Sequence, residues 1–176
     1  MHRGASEEEI QGWFAGRAPG EWFTGPPEVS VDREEILVVG TLQDVDVGKD
    51  ASPDGVAAAR AGRIKQFRED TRDARIRIAR EAEHRFRRNV SWGAECGEVR
   101  ELFTTVAMPI MTRLRMDERR VLDTLVEAGV ARSRSHALAW CVRLVQQNEG
   151  DWIEKLRTAL TDVEKVRAEG PRTGSV

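Results

Sequence analysis

Residues 111–116 read MTRLRM, a strict alternation that puts Thr112, Leu114 and Met116 on one face and Met111, Arg113 and Arg115 on the other. Period two is the signature of a strand, here with one buried face and one basic face. Asp117 then reads as the N-cap of a helix carrying Val121, Leu122, Leu125 and Val126 at core spacing, and Gly129 as its stop. Ser133 reads as the cap of a second helix, with Ala137, Leu138, Cys141, Leu144 and Val145 as its apolar stripe. A strand, a helix, a tight turn and a helix in so short a segment cannot bury both apolar stripes alone. The strand would also be left as an unpaired edge. Two copies related by a two-fold axis solve both problems, because their strands pair antiparallel and their helices cover each other.

These residues resemble the ribbon-helix-helix family of DNA-binding proteins: MTRLR as the ribbon, DERRVLDTLVEAG as the first helix, and VARSRSHAL as the turn and cap that open the second. The likeness spans residues 109–148. It implies a homodimer that inserts a two-stranded ribbon into the major groove of double-stranded DNA. Met111, Arg113 and Arg115 would then meet base edges, and Arg132, Ser133 and Arg134 would clamp a phosphate. The physical chemistry is consistent with those roles. Arginine is the best bidentate reader of guanine, and a capped helix start offers backbone N–H groups to a phosphate. The chain departs from the family in two places. Met111 can read bases only by apolar contact, and His136 stands where the family often has an acidic residue.

The remaining chain divides by composition. Residues 1–28 are rich in Gly and Pro and carry the doublets Trp13-Phe14 and Trp22-Phe23. They read as an arm, with SEEEIQGWF as a short helix and with aromatics that need burial, preferably on this chain's own body. Residues 29–108 read as an α+β body. Val29 and Val31 alternate with polar residues, and Ile36–Leu42 is an apolar strand; with the turn at Asp32-Arg33 they make a hairpin. Residues 56–88 read as one long amphipathic helix, with Ile64, Phe67, Ala74, Ile78, Ala82 and Phe86 inward and Gly62 as its weak point. The segment VSWGAECGEVRELFTTV reads as one or two strands that join Ile36–Leu42 in a small mixed sheet against that helix. After the ribbon-helix-helix module, residues 149–170 read as a helix opened by Asp151, with Ile153, Leu156, Leu160 and Val163 on one side, and 171–176 as a loose tail. The fold class is therefore α+β.

Charge is unevenly distributed along the chain. Residues 1–54 hold 4 basic and 12 acidic side chains, whereas residues 55–90 hold 11 basic and 5 acidic, although the net charge is only −2. A uniformly basic nucleic-acid surface is thus excluded, and any such site is a local patch. The simpler use of the asymmetry is that the acidic and basic segments face each other. The 33% of charged residues beside 40% hydrophobic ones excludes a disordered chain. No apolar run approaches the ~20 residues of a membrane span, and with two isolated thiols, Cys96 and Cys141, the chain reads as cytoplasmic.

Catalytic and metal-binding patterns are missing from the sequence. His2, His84 and His136 have no ligand spacing, and Asp44, Asp46, Asp50 and Asp54 resemble a calcium loop only superficially, with Gly48 where an oxygen ligand belongs. Gly48-Lys49-Asp50 lacks the glycines and hydroxyl of a phosphate-binding loop. The expectation is a protein that is not an enzyme and needs no cofactor: a homodimeric transcriptional regulator. The alternative is an interaction or antitoxin-like protein that dimerises through residues 109–148 and binds a partner protein through its N-terminal extension.

Overall fold

The computed structural model describes residues 5–48 and 50–169, so His2, Lys49 and the tail 171–176 lie outside the described residues. The described residues divide into two units, one up to Pro109 and one from Ile110. The fold is mixed α+β, with a four-stranded sheet in the first unit and, among the described residues, six helices over the two.

The N-terminal body begins with α1 (Glu7–Arg17), capped by Ser6, whose Oγ accepts from the Glu9 N–H at 3.1 Å. Glu7, Glu8 and Glu9 in its first turn suit the positive end of the helix dipole. The hairpin β1 (Glu28–Val31) and β2 (Glu35–Thr41) turns at Asp32, whose Oδ1 accepts from the N–H groups of Glu34 and Glu35 at 2.8 and 2.6 Å. Such side-chain turns explain why Asp sits there. The chain then crosses through α2 (Pro53–Asp70) and α3 (Arg72–Phe86) to β3 (Asn89–Cys96), which pairs parallel with β2 in the register Ile36 to Val90 and Val38 to Trp92. A parallel neighbour requires a long crossover of this kind. Gly97, at φ +56°, makes the tight return to β4 (Val99–Leu102), which pairs antiparallel with β3. The sheet is mixed, with order β1-β2-β3-β4.

Where one helix over 56–88 was expected, the structure has two, broken at Thr71 and not at Gly62. The reason is local hydrogen bonding. Thr71 Oγ1 donates to the Phe67 carbonyl at 2.6 Å, and Arg75 Nη2 donates to the Arg68 carbonyl at 2.6 Å. Side chains thereby satisfy carbonyls at the break, which is how a hydroxyl residue bends a helix. Gly62 stays inside α2, whose first residue Pro53 is preorganised for a helix start. Of the expected inward residues Ile64, Phe67, Ile78, Ala82 and Phe86 are buried and Ala74 is half-buried, while Arg75 beside it is buried with them.

The Gly/Pro-rich residues 5–28 form part of this body. Ile10 and Phe14 are fully buried, and both aromatic doublets join an edge-to-face network. Trp13 packs on Phe86 at 5.6 Å, Phe14 on Trp92 at 5.8 Å, and Trp22 on Phe67 at 5.6 Å. The Phe23 ring occupies the space that a Cβ on Gly40 would need, which explains the glycine inside β2. Acidic and basic segments face each other here: Arg17 forks onto Glu81 with both bonds at 2.7 Å, Arg85 reaches Glu9 at 3.1 Å, and Arg60 meets Asp44 at 2.6 Å.

The C-terminal unit is helical: α4 (Met116–Glu127), α5 (Arg134–Asn148) and α6 (Gly150–Glu169). Residues 104–115 belong to neither helix nor sheet, so the strand expected at 111–116 is not formed in the single chain. A strand exists only with a hydrogen-bonded neighbour, and none of the described residues supplies one. Met116 is helical, and the cap lies at Arg115, not at Asp117, because the Glu118 carboxylate accepts from the Arg115 N–H at 2.6 Å. The last helix likewise opens at Gly150, not Asp151, and none of its residues is buried. Among the described residues no helix is long and apolar enough to cross a membrane.

Candidate nucleic-acid interface

The six residues singled out from sequence all fall in the C-terminal unit, in two places: the segment that enters α4 and the turn that enters α5. Met111 is 96% exposed, and Arg113 and Arg115 are exposed, while Leu114 between them is half-buried against the small core of Leu122, Ala131 and Ala137. Of the inward face read from sequence only Leu114 is turned in; Thr112 and Met116 are exposed like Arg113 and Arg115, because no strand forms here to hold the alternation. Two contacts missed by sequence reading hold the end of this segment. Arg119 Nη1 donates to the Leu114 carbonyl at 2.7 Å, and Glu118 caps Arg115. The cue for the second was a glutamate three residues after an extended residue.

The turn between α4 and α5 follows from Gly129, whose φ of +75° ends α4 with Val130 N–H donating to the Leu125 carbonyl at 3.0 Å. Ser133 caps α5 as expected, its Oγ accepting from the His136 N–H at 3.2 Å. His136 returns the favour: its Nδ1 accepts from the Arg132 N–H at 3.3 Å, so the imidazole ties the turn to the helix start. That gives this histidine a local structural role.

Arg132 and Arg134 differ. The Arg132 side chain is exposed and makes no ion pair among the described residues, whereas Arg134 forks onto Asp123 of α4 at 2.6 and 2.8 Å. The pair lowers the Asp123 pKa and raises that of Arg134, chiefly through these hydrogen bonds. A phosphate at this turn would meet Arg132 directly and would have to draw Arg134 off Asp123. Sequence reading missed Asp123 because it lies eleven residues upstream, on the other helix.

Cys96 is fully buried, and burial followed by the charge of Asp44 raises its thiol pKa, which makes it a poor nucleophile. Asp44 is engaged by Arg60 and held down to about 2. An open cleft of about 310 Å³ is floored by Trp22, Phe23 and Phe67 and edged by Arg63, Gln66 and Asp70, with no histidine, serine or cysteine in its wall. Among the described residues no three His, Cys, Asp or Glu side chains gather as metal ligands.

Comparison with known proteins divides the chain as the fold does. Residues 8–102 match the family described as Rv1265-like protein, N-terminal domain, and residues 115–167 match the Mb1296 C-terminal domain. The exposed segment with Met111 and Arg113 lies between the two matches. The proteins named Uncharacterized protein Rv1265, of Mycobacterium tuberculosis, and Uncharacterized protein Mb1296, of Mycobacterium bovis, are each 56% identical over 160 residues, covering 90% of this chain and 69% of theirs. No solved structure matches the chain.

Proposed function

The chain belongs to the Rv1265-like family, and for it we propose a homodimeric, sequence-specific DNA-binding role, that of a cytoplasmic transcriptional regulator. In this reading two copies pair their residues 111–115 as a ribbon-helix-helix ribbon in the major groove, presenting Met111, Arg113 and Arg115 to base edges. Arg132 and the start of α5, capped by Ser133, take a phosphate, with Arg134 joining once released from Asp123.

The observation that carries the proposal is the unfinished state of the C-terminal unit. Among the described residues its buried apolar side chains are Leu122, Ala131 and Ala137, while Val121, Val142, Leu144 and Val145 on α4 and α5 stay between 42% and 62% exposed. Burying a large aliphatic side chain contributes about 1.5–3 kcal/mol, so covering these faces with a second copy supplies what this small unit lacks alone. The same association gives residues 111–115 the neighbouring edge that a strand requires. The alternative, a partner-binding protein working through its N-terminal extension, is weakened because the aromatic side chains of residues 13–23 pack within this chain's own core.

The test is a binding titration of the full chain on a selected duplex and on a scrambled one, at two salt concentrations, with the mass measured in parallel. Each good bidentate base contact is worth about 1–3 kcal/mol of discrimination. The Arg113→Ala, Arg115→Ala double variant should therefore lose preference for the selected site while remaining dimeric. Full preference in that variant, or a folded monomer at micromolar concentration, would refute the proposal.

A further inference from the structure

Arg75 is the buried charge of the body, only 7% exposed, and it has no carboxylate partner among the described residues. Its protein acceptors are neutral: Nε donates to Thr71 Oγ1 at 2.9 Å and Nη2 to the Arg68 carbonyl at 2.6 Å. Nη1 has no hydrogen-bond acceptor, yet it is not sealed from solvent, since the buried unpartnered side-chain atoms are Ser91 Oγ and Trp92 Nε1. The guanidinium lies over the Phe103 ring at 4.7 Å, and that of Arg68 lies over the same ring at 5.7 Å. Arg68, Arg72 and Arg75 flank the joint between α2 and α3, and the charges of Arg68 and Arg72 both act on the Arg75 guanidinium.

The body's ion-paired arginines are held differently. Arg17, Arg60, Arg85 and Arg100 all meet carboxylates, at 2.7, 2.6, 3.1 and 3.0 Å. Arg68 meets none among the described residues, although Glu69 and Glu101 share a shallow surface recess with it. Arg72 has only the exposed Asp73 beside it, at 3.7 Å. Burial, then the like charges of Arg68 and Arg72, bring the Arg75 pKa down to about 10, so it is still cationic at neutral pH. A buried cation gathered with two others is costly unless an anion joins them.

We propose that Arg68, Arg72 and Arg75 hold the terminal phosphate of a small soluble phosphate compound. The guanidinium fork matches phosphate oxygens bidentately. A compact terminal phosphate, with its extra negative charge, reaches the nearly covered tip of Arg75. A phosphodiester in a duplex backbone would need an open face instead.

The experiment is calorimetric titration of the full chain with inorganic pyrophosphate at moderate salt. One saturable site per chain is expected. Because Arg75 also braces the helix joint, the diagnostic variant is Arg68→Gln with Arg72→Gln, which should bind at least tenfold more weakly while its circular dichroism stays unchanged. An Arg80→Gln control, on the exposed part of α3, should bind within twofold of the native chain. The proposal fails if no saturable heat appears, if the double variant binds as the native chain does, or if Arg80→Gln weakens binding equally. It also fails if duplex DNA displaces the pyrophosphate and the double variant loses DNA affinity, which would assign the three arginines to a nucleic-acid backbone.

Discussion

The N-terminal body buries fifteen apolar residues in one cluster, drawn from every layer of the fold, whereas the C-terminal unit buries three. The body closes its own sheet against its own helices, and its acidic first segment meets its basic helices in ion pairs. The C-terminal unit has equally regular helices, and its turn is as well made, with Gly129 and Ser133 in their ordinary roles. Local regularity and self-sufficiency are thus separate properties. Caps and turns are decided by a few neighbouring residues, but a core needs enough apolar surface facing inward from several directions at once. One part of this chain has that surface, and the other leaves Val121, Val142, Leu144 and Val145 exposed.

Four measurements test that contrast. The largest effect belongs to the body. Phe14→Ala removes a fully buried ring that packs on Trp13 and Trp92, and should destabilise the body by about 3–5 kcal/mol in chemical denaturation. A loss below about 1 kcal/mol would mean that the N-terminal segment is not part of the core. Next comes the exposed face of α5. Val145 is 47% exposed, so in a self-sufficient unit Val145→Asp should change stability by no more than about 0.5 kcal/mol. If a second copy covers it, sedimentation should show dimer dissociation at least tenfold easier, about 1.4 kcal/mol.

The turn into α5 gives smaller, paired effects. Arg132→Ala should weaken binding to all DNA sequences alike and reduce the salt slope by about one. Arg134→Ala should do less, because that side chain is already engaged by Asp123. Asp123→Ala should act in the opposite direction and strengthen binding by releasing Arg134. Equal losses from the two arginine variants would show that the Asp123 pair does not compete with phosphate.

The smallest effect is electrostatic and returns to the body. Hydrogen bonds from Arg60, with one from the Val45 N–H, hold the Asp44 carboxyl down to about 2, below its ordinary 3.8. A depressed carboxyl pKa contributes stability above the unfolded value, and that contribution disappears as pH falls through the folded one. Native chain and Asp44→Asn should therefore differ in thermal unfolding near pH 7 and converge as pH approaches 2. A difference that persists unchanged at pH 2 would exclude the pair as its source.

Much of the local structure was legible in the residues. The hairpin at Asp32, the mixed sheet joining Ile36–Leu42 to the strand after Asn89, and the Gly129–Ser133 turn follow from β-branched runs, turn residues and caps, all of which act over a few positions. The inward stripe of the basic segment was legible as well, but the break within it was not. Thr71 interrupts the helix only because Arg75 folds back onto it and onto the Arg68 carbonyl, and a buried arginine leaves no mark in an apolar pattern. The cap at Arg115 was missed for a similar reason, since Asp117 is the better residue type and Glu118 decided the position by reaching back.

Residue pattern alone thus settled the element types of the body and the helices of the C-terminal unit, with most of their turns, but not residues 111–116, where the expected strand is not formed in the single chain. The tertiary structure decided what those elements are sufficient for. It folded the aromatic doublets at residues 13–14 and 22–23 into the body, engaged Arg134 with Asp123, and buried Arg75 without a carboxylate partner among the described residues. The physical reason is range. Backbone preference and capping act between near neighbours, whereas burial and charge compensation are settled among residues that only the completed fold brings together.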